Sequence, residues 1–94
     1  MVKAYVRLLG DLREAMGKER LEIELPSGIR LKEVIETISR RYCGLREHII
    51  DSMTGEIRTD LIILVNEKSI ESFTKDEKIK DNDIITLASA IAGG

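Results

Sequence analysis

Residues 21–42 read LEIELPSGIRLKEVIETISRRY, and the change of period inside this stretch decides the fold. Leu21, Ile23 and Leu25 alternate with Glu22 and Glu24. Side chains of a strand point alternately to its two faces, so a period of two predicts a strand with one buried face. Pro26-Ser27-Gly28 stops it. Leu31, Val34, Ile35, Ile38 and Tyr42 then recur at helical spacing, while Lys32, Glu33, Glu36, Arg40 and Arg41 fill the opposite face. This predicts an amphipathic helix of about three and a half turns. Its acidic residues lie early and its arginines late, as the helix dipole favours. Gly44 is expected as its C-terminal cap.

Upstream, Val2, Ala4, Val6 and Leu8 alternate with Lys3, Tyr5 and Arg7, which predicts a first strand ended by Gly10. Residues 11–16 fit one short helical turn, with Asp11 as its cap and Gly17 closing it. Downstream, residues 45–50 fit another short helical turn, and Met53-Thr54-Gly55-Glu56 reads as a turn. Leu61-Ile62-Ile63-Leu64-Val65 is continuously apolar and predicts a central strand covered on much of its surface. Asn66-Glu67 predicts a tight turn into a short strand at Ser69-Ile70. Residues 74–83 are polar, with Ile79 as the one anchor and Asp81 and Asp83 suited to a turn. Ile84, Ile85 and Leu87 begin a last strand. The order strand, strand, helix, strand, short strand, strand implies an α+β layer structure, a mixed sheet with one main helix across it.

Composition bounds the chemistry. Ninety-four residues make one domain. The core must be aliphatic, since 28 residues are Ile, Leu or Val against one Phe, two Tyr and no Trp. One cysteine, Cys43, and one histidine, His48, exclude a disulfide framework, a Cys-rich zinc site and an iron–sulfur cluster held by this chain alone. Most side-chain triads are excluded too. Cys43 reads as a small half-buried residue and His48 as a surface or helix-end residue. Glu22 with Glu24, and Asp81 with Asp83, lack the pocket partner that acid–base work needs. No metal site and no bound cofactor are expected.

The net charge of −2 comes from 15 basic and 17 acidic residues whose signs alternate along the chain. There is no basic stripe and no set of stacking aromatics, so a nucleic-acid partner is not expected. Arg40-Arg41, the only adjacent basic pair, reads as a solvated helix end. No stretch approaches the roughly 20 apolar residues of a membrane span. Met1 leads directly into an alternating segment, and a lone cysteine suits a reducing interior, so the expected location is the cytoplasm.

The last residues form a separate motif. Of residues 88–94, only Ile91 has a side chain larger than serine, no charge follows Asp83, and the sequence closes on Gly93-Gly94. This divides the chain into a domain over residues 1–88 and a flexible tail over 89–94. Fully extended, six residues reach about 20 Å. Glycine lacks a Cβ, so Ala92-Gly93-Gly94 can enter a narrow channel closed to bulkier ends. The group delivered is the Gly94 carboxylate. It is ionised at pH 7 and a poor electrophile, so it needs activation, for which an acyl-adenylate made from ATP is the usual route. Sulfide can then displace AMP to leave a thiocarboxylate, or an amine can displace it to leave an amide.

The sequence resembles the MoaD/ThiS group of ubiquitin-like sulfur carriers, most closely its archaeal MoaD-type branch, which includes small archaeal modifier proteins. The resemblance rests on Val2-Lys3-Ala4-Tyr5-Val6-Arg7-Leu8 with Leu12-Arg13-Glu14 and Gly17, and on Leu25-Pro26-Ser27-Gly28 with Leu31-Lys32-Glu33-Val34-Ile35. It continues through Tyr42 with Gly44-Leu45-Arg46, Val65-Asn66 with Ile70, Lys80-Asp81-Asn82-Asp83-Ile84, and Ala90-Ile91-Ala92-Gly93-Gly94. Four positions depart from the pattern: Arg30 stands where a Thr or Ser cap is frequent, Glu67 and Asn82 replace glycines, and Ser89 replaces a proline.

The resemblance implies a ubiquitin-like β-grasp fold with the first and last strands side by side at the sheet centre. It implies a carrier or co-substrate rather than an enzyme. Gly94 would be adenylated by an E1-like enzyme that uses ATP and Mg²⁺, with Gly93 and Ala92 giving access and Ile91 anchoring at the channel mouth. Tyr5, Arg7 and Ala88 would belong to a partner-binding sheet face. Lys3 and Arg7 on that face weigh against a tight apolar contact with the large subunit of molybdopterin synthase. The sulfur would go to molybdopterin first, with tRNA thiolation and thiamin thiazole as alternatives. The same tail also suits a modifier joined to substrate lysines. A reading of another class is an interaction module with an inert tail.

Overall fold

The first strand, β1 (Val2–Leu8), pairs antiparallel with β2 (Arg20–Leu25), Val6 opposite Leu21 and Val2 opposite Leu25. The computed structural model describes residues 1–69 and 77–89 of the chain. Within them lie three helices, α1 (Asp11–Met16), α2 (Leu31–Arg41) and α3 (Cys43–Ile49), then β3 (Leu61–Val65), β4 (Lys68–Ser69) and β5 (Ile84–Ser89). The sheet order is β2-β1-β5-β3-β4, five strands in all. β5 runs parallel to β1 and antiparallel to β3, so the first and last strands are adjacent at the centre, as the resemblance implies. Ile70 and residues 90–94, with the expected end of the short strand and the whole Ile91–Gly94 motif, lie outside the described residues.

The core follows the two periodicities. Ala4, Val6, Leu8, Leu21, Ile23, Leu25, Ile85 and Leu87 bury one face of the sheet. Leu31, Val34, Ile35 and Ile38 of α2 cover it, all without exposed surface. Leu12, Leu45 and Ile49 close the layer from α1 and α3. Burying one such side chain contributes about 1.5–3 kcal/mol, so the α2 stripe and the sheet face it covers are both major sources of folding energy. Arginine carries no acceptor for a helix cap, and Arg30 at the start of α2 is served instead by Glu33, whose Oε1 accepts the Arg30 N–H at 3.2 Å. The Leu31 N–H, which has no partner within the helix, donates to the Glu77 carbonyl at 2.8 Å; Ile79 N–H donates to Ile29 O at 2.9 Å and its side chain is buried. Ile79 is thus the anchor its polar surroundings predict.

Three local expectations need correction. Asp11 is the first helical residue of α1; Gly10 precedes it at φ 60°, ψ −130°, and makes no side-chain cap. Gly17 does close α1, with a left-handed backbone and its N–H on Arg13 O. Gly44 does not cap α2. That helix ends at Tyr42, whose φ of −118° requires no glycine, and Gly44 is the second residue of α3. Cys43 is exposed rather than half-buried, because it opens α3 instead of closing α2. β3 is covered on much of its surface: Ile63 and Val65 are buried and Leu61 and Leu64 partly so, while Ile62 is 42% exposed. β5 continues through Ala88 to Ser89, with Leu61 and Ile62 of β3 as ladder partners there.

Turns tie β5 in place. Asn66, Glu67 and Asn82 adopt positive φ (52°, 72° and 69°), at two of the positions where the family pattern has glycine. Asn66 compensates by donating its Nδ2 to Asp83 Oδ1 and accepting the Ile84 N–H, at 2.9 and 3.0 Å. Asp83 Oδ2 accepts the Lys80 N–H at 2.7 Å, and Asp81 Oδ1 accepts the Lys3 N–H at 2.8 Å. The aspartates therefore build the turn expected of them. Arg58 grips Asp60 with two hydrogen bonds of 2.9 and 2.8 Å and donates to Glu47 O at 3.2 Å, fixing the chain before β3.

The position of Gly44 yields a direct test. A Cβ there would meet Ala15 O at 3.6 Å, ordinary contact, and its backbone is not left-handed. Gly44→Ala is expected to stabilise the protein by about 0.5–1 kcal/mol in denaturant unfolding, whereas loss of a left-handed cap would destabilise it. Asp60 gives a second test. Hydrogen bonding from Arg58 holds its carboxyl below the ordinary value of 3.8. The sign follows: this stabilisation is fully present above that value and is lost as pH falls through the lowered one. The stability gap between the wild type and Asp60→Asn is expected to stay constant from pH 7 to about 5 and to shrink at more acid pH. A gap that does not change in acid would contradict the pairing.

Candidate functional site: the open sheet face and the root of the tail

Among the described residues, the helices cover only one face of the sheet. The other presents alternate residues of each strand, and the register decides which of them meet. Tyr5 lies beside Ile84, Arg7 beside Thr86, Leu64 beside Thr86, and Ile62 beside Ala88. The result is a mostly apolar and neutral band across β1, β5 and β3, with Arg7 on its β1 side. Ile62 and Ile84 are its most exposed large members, at 42% and 38%. Tyr5, Arg7 and Ala88 all lie on this face, though Ala88 stands at the far end from Tyr5.

Charges edge the band on the β2 side. Arg20 stacks over the Tyr5 ring at 4.8 Å. Lys3 Nζ sits 3.4 Å from Glu22, whose charge raises the lysine's pKa. An open hollow of about 570 Å³ joins the two regions, lined by Arg7, Glu19, Arg20, Asn66, Glu67, Ile84 and Thr86. The face therefore combines an apolar centre with a polar, two-signed rim, the usual make-up of a protein-binding surface. Ile62, Leu64 and Ile84 are absent from the sequence-based site. Their signal is apolar residues at both phases of a strand, which marks either a doubly covered strand or an exposed patch.

The tail's starting point is set by the same sheet. β5 ends at Ser89 opposite Leu61, and Leu9 N–H donates to Leu87 O at 3.1 Å. Ser89, the last described residue, thus stands at the end of β5 that faces the start of β3. Gly94, Gly93, Ala92 and Ile91 are beyond the described residues. Cys43 and His48 lie on α3; His48 Nε2 is 3.8 Å from Glu47. Among the described residues no group of three or more His, Cys, Asp or Glu is placed to hold a metal, and no helix is long and apolar enough to cross a membrane.

Comparison with known proteins agrees with this architecture. The putative molybdopterin converting factor, subunit 1, of Pyrococcus furiosus is 28% identical, with a TM-score of 0.76 over 97% of this chain and 100% of its own. The small archaeal modifier protein 1 of Methanosarcina acetivorans is 25% identical, with a TM-score of 0.82 over 100% of this chain and 98% of its own. SAMP1 of Haloferax volcanii shares the fold at a TM-score of 0.84 with 16% identity, over 98% of this chain and 99% of its own. No curated protein matches in a sequence comparison. The fold is the ubiquitin-like β-grasp. The ThiS family model matches residues 6–94, all but the first five residues, and the chain belongs to the ThiS family, within the ubiquitin-like group of sulfur carriers and protein modifiers.

Proposed function

We propose that this chain is a sulfur carrier whose Gly94 carboxylate is the reactive group. The observation that carries the reading is the family match running through the sequence Ala92-Gly93-Gly94 to residue 94. The carboxylate attacks the α-phosphorus of ATP on an E1-like enzyme, which holds the Mg²⁺, and pyrophosphate leaves. Hydrosulfide supplied by a donor then attacks the acyl carbon, AMP leaves, and a thiocarboxylate remains. The chain is a co-substrate in this scheme: it presents the acyl group and provides none of the acid–base chemistry. Ile91, Ala92 and Gly93 thread the group into the enzyme.

Molybdopterin synthesis is the sulfur's first destination, supported by the 28% identical molybdopterin converting factor subunit. A synthase large subunit would then be a further partner. A second reading, conjugation through Gly94 to lysines of other proteins, is supported by the 25% identical small archaeal modifier protein. Both share the activation step. Incubation with an adenylating enzyme, ATP, Mg²⁺ and a sulfur donor is expected to exchange one oxygen for sulfur in the intact mass. Gly93-Gly94 remnants on lysines without that exchange would favour the modifier. An unchanged mass, in a reaction where the enzyme forms the adenylate, would overturn the carrier reading.

The activating enzyme is proposed to grip the open sheet face, with Tyr5, Arg7 and Ala88 around Ile62 and Ile84. Ile62→Asp and Ile84→Asp place a charge in the apolar centre without touching the core. Each is expected to raise the carrier's KM for adenylation roughly tenfold or more, leaving the unfolding midpoint nearly unchanged. Normal KM values in both variants would remove the face from the activating step.

A further inference from the structure

β2 forms an edge of the sheet and has no ladder partner on its outer side among the described residues. Its phase can be read from the hydrogen bonds. Leu8 N–H donates to Glu19 O at 2.7 Å, while Tyr5 N–H points the other way, to Asp83 O. In an antiparallel ladder this alternation turns the backbone groups of Leu21, Ile23 and Leu25 toward β1. Those of Arg20, Glu22 and Glu24 face outward, with side chains exposed on the open face.

The charges along this edge have an internal symmetry. Lys18, two residues before β2, and Arg20, Glu22 and Glu24 within it read plus, plus, minus, minus. Laid antiparallel against itself about Leu21, the series opposes Arg20 to Glu22 and Lys18 to Glu24, every pair of opposite sign. The same register faces the outward N–H and C=O groups of Arg20 with those of Glu22. An axis at Glu22 or Ile23 would set glutamate against glutamate, which is unfavourable for directly opposed side chains. Charged edges usually block pairing between copies; this one selects a single register.

We propose that the chain forms a two-fold dimer by antiparallel pairing of β2 with β2 of a second copy, the axis passing between the two Leu21 residues. Glu22 then lies between Lys3 of its own chain and Arg20 of the other. Two five-stranded sheets become one continuous sheet. The axis is perpendicular to the sheet and reverses strand direction, so the two tails leave from opposite ends and remain separately accessible. The proposal is independent of what the tail carries.

Light scattering across a concentration series at low salt tests it. The mass is expected to rise from 10.6 kDa toward twice that value, about 21 kDa, and to fall back at about 1 M salt, where the Debye length is about 3 Å. Glu22→Pro deletes an outward N–H and leaves the ladder to β1 intact, so it should be monomeric at every concentration. Lys18→Glu/Arg20→Glu and Glu22→Lys/Glu24→Lys should each be monomeric alone and dimerise when mixed. A wild type fixed at 10.6 kDa, a dimer that survives Glu22→Pro, or folded charge variants that fail to associate on mixing would each overturn the proposal.

Discussion

Everything else in the structure depends on the parallel pairing of the chain's first strand with its last described one. Tyr5 N–H on Asp83 O and Leu9 N–H on Leu87 O bracket this ladder, and the Asp81 side chain extends it by accepting the Lys3 N–H. Parallel neighbours cannot be joined by a hairpin, so the intervening chain must cross one face of the sheet to return. That crossing is where α2 lies. The pairing thus produces a buried face under the helix, an open face behind it, and an exit for the final residues at the end of a central strand.

This arrangement suits a protein that offers a group rather than transforming one. Reactive side chains are few, and those present are dispersed: Cys43 and His48 on α3, the aspartates in structural turns. Side-chain and ladder hydrogen bonds converge on β5. Asn66, Asp83 and Lys80 clip its start, and β1 and β3 hold it on both sides. A strand so held gives a partner that grips the open face a fixed origin for the tail. On the proposed reading, the chemistry resides in the main-chain carboxylate and the domain serves as its handle.

Local pattern made most elements legible. Strict alternation in residues 2–8 and 20–25, and the helical stripe of residues 31–42, translate directly into β1, β2 and α2, because one buried face forces one period. What the pattern could not carry is equally specific. Residues 61–65 are apolar at both phases, so periodicity alone could not separate a doubly covered strand from one with Ile62 exposed. The α2–α3 junction at Tyr42 uses a backbone conformation open to any residue, leaving nearby Gly44 as a false cap. The Lys3–Asp81 contact joins residues 78 positions apart, a separation no local period encodes; the central adjacency came from the family pattern. The outer patch escaped for the related reason that β3 and β5 contribute to it through register, which no local period encodes.

The most direct test of the carrier reading is to locate the sulfur after activation by peptide mapping. Trypsin separates the two candidate sites: residues 81–94 form one peptide, and residues 42–46, with Cys43, another. Sulfur in place of one oxygen on the 81–94 peptide, undiminished in Cys43→Ala, is the expected result. Sulfur bound to Cys43, with the 81–94 peptide unchanged, would contradict the carrier reading.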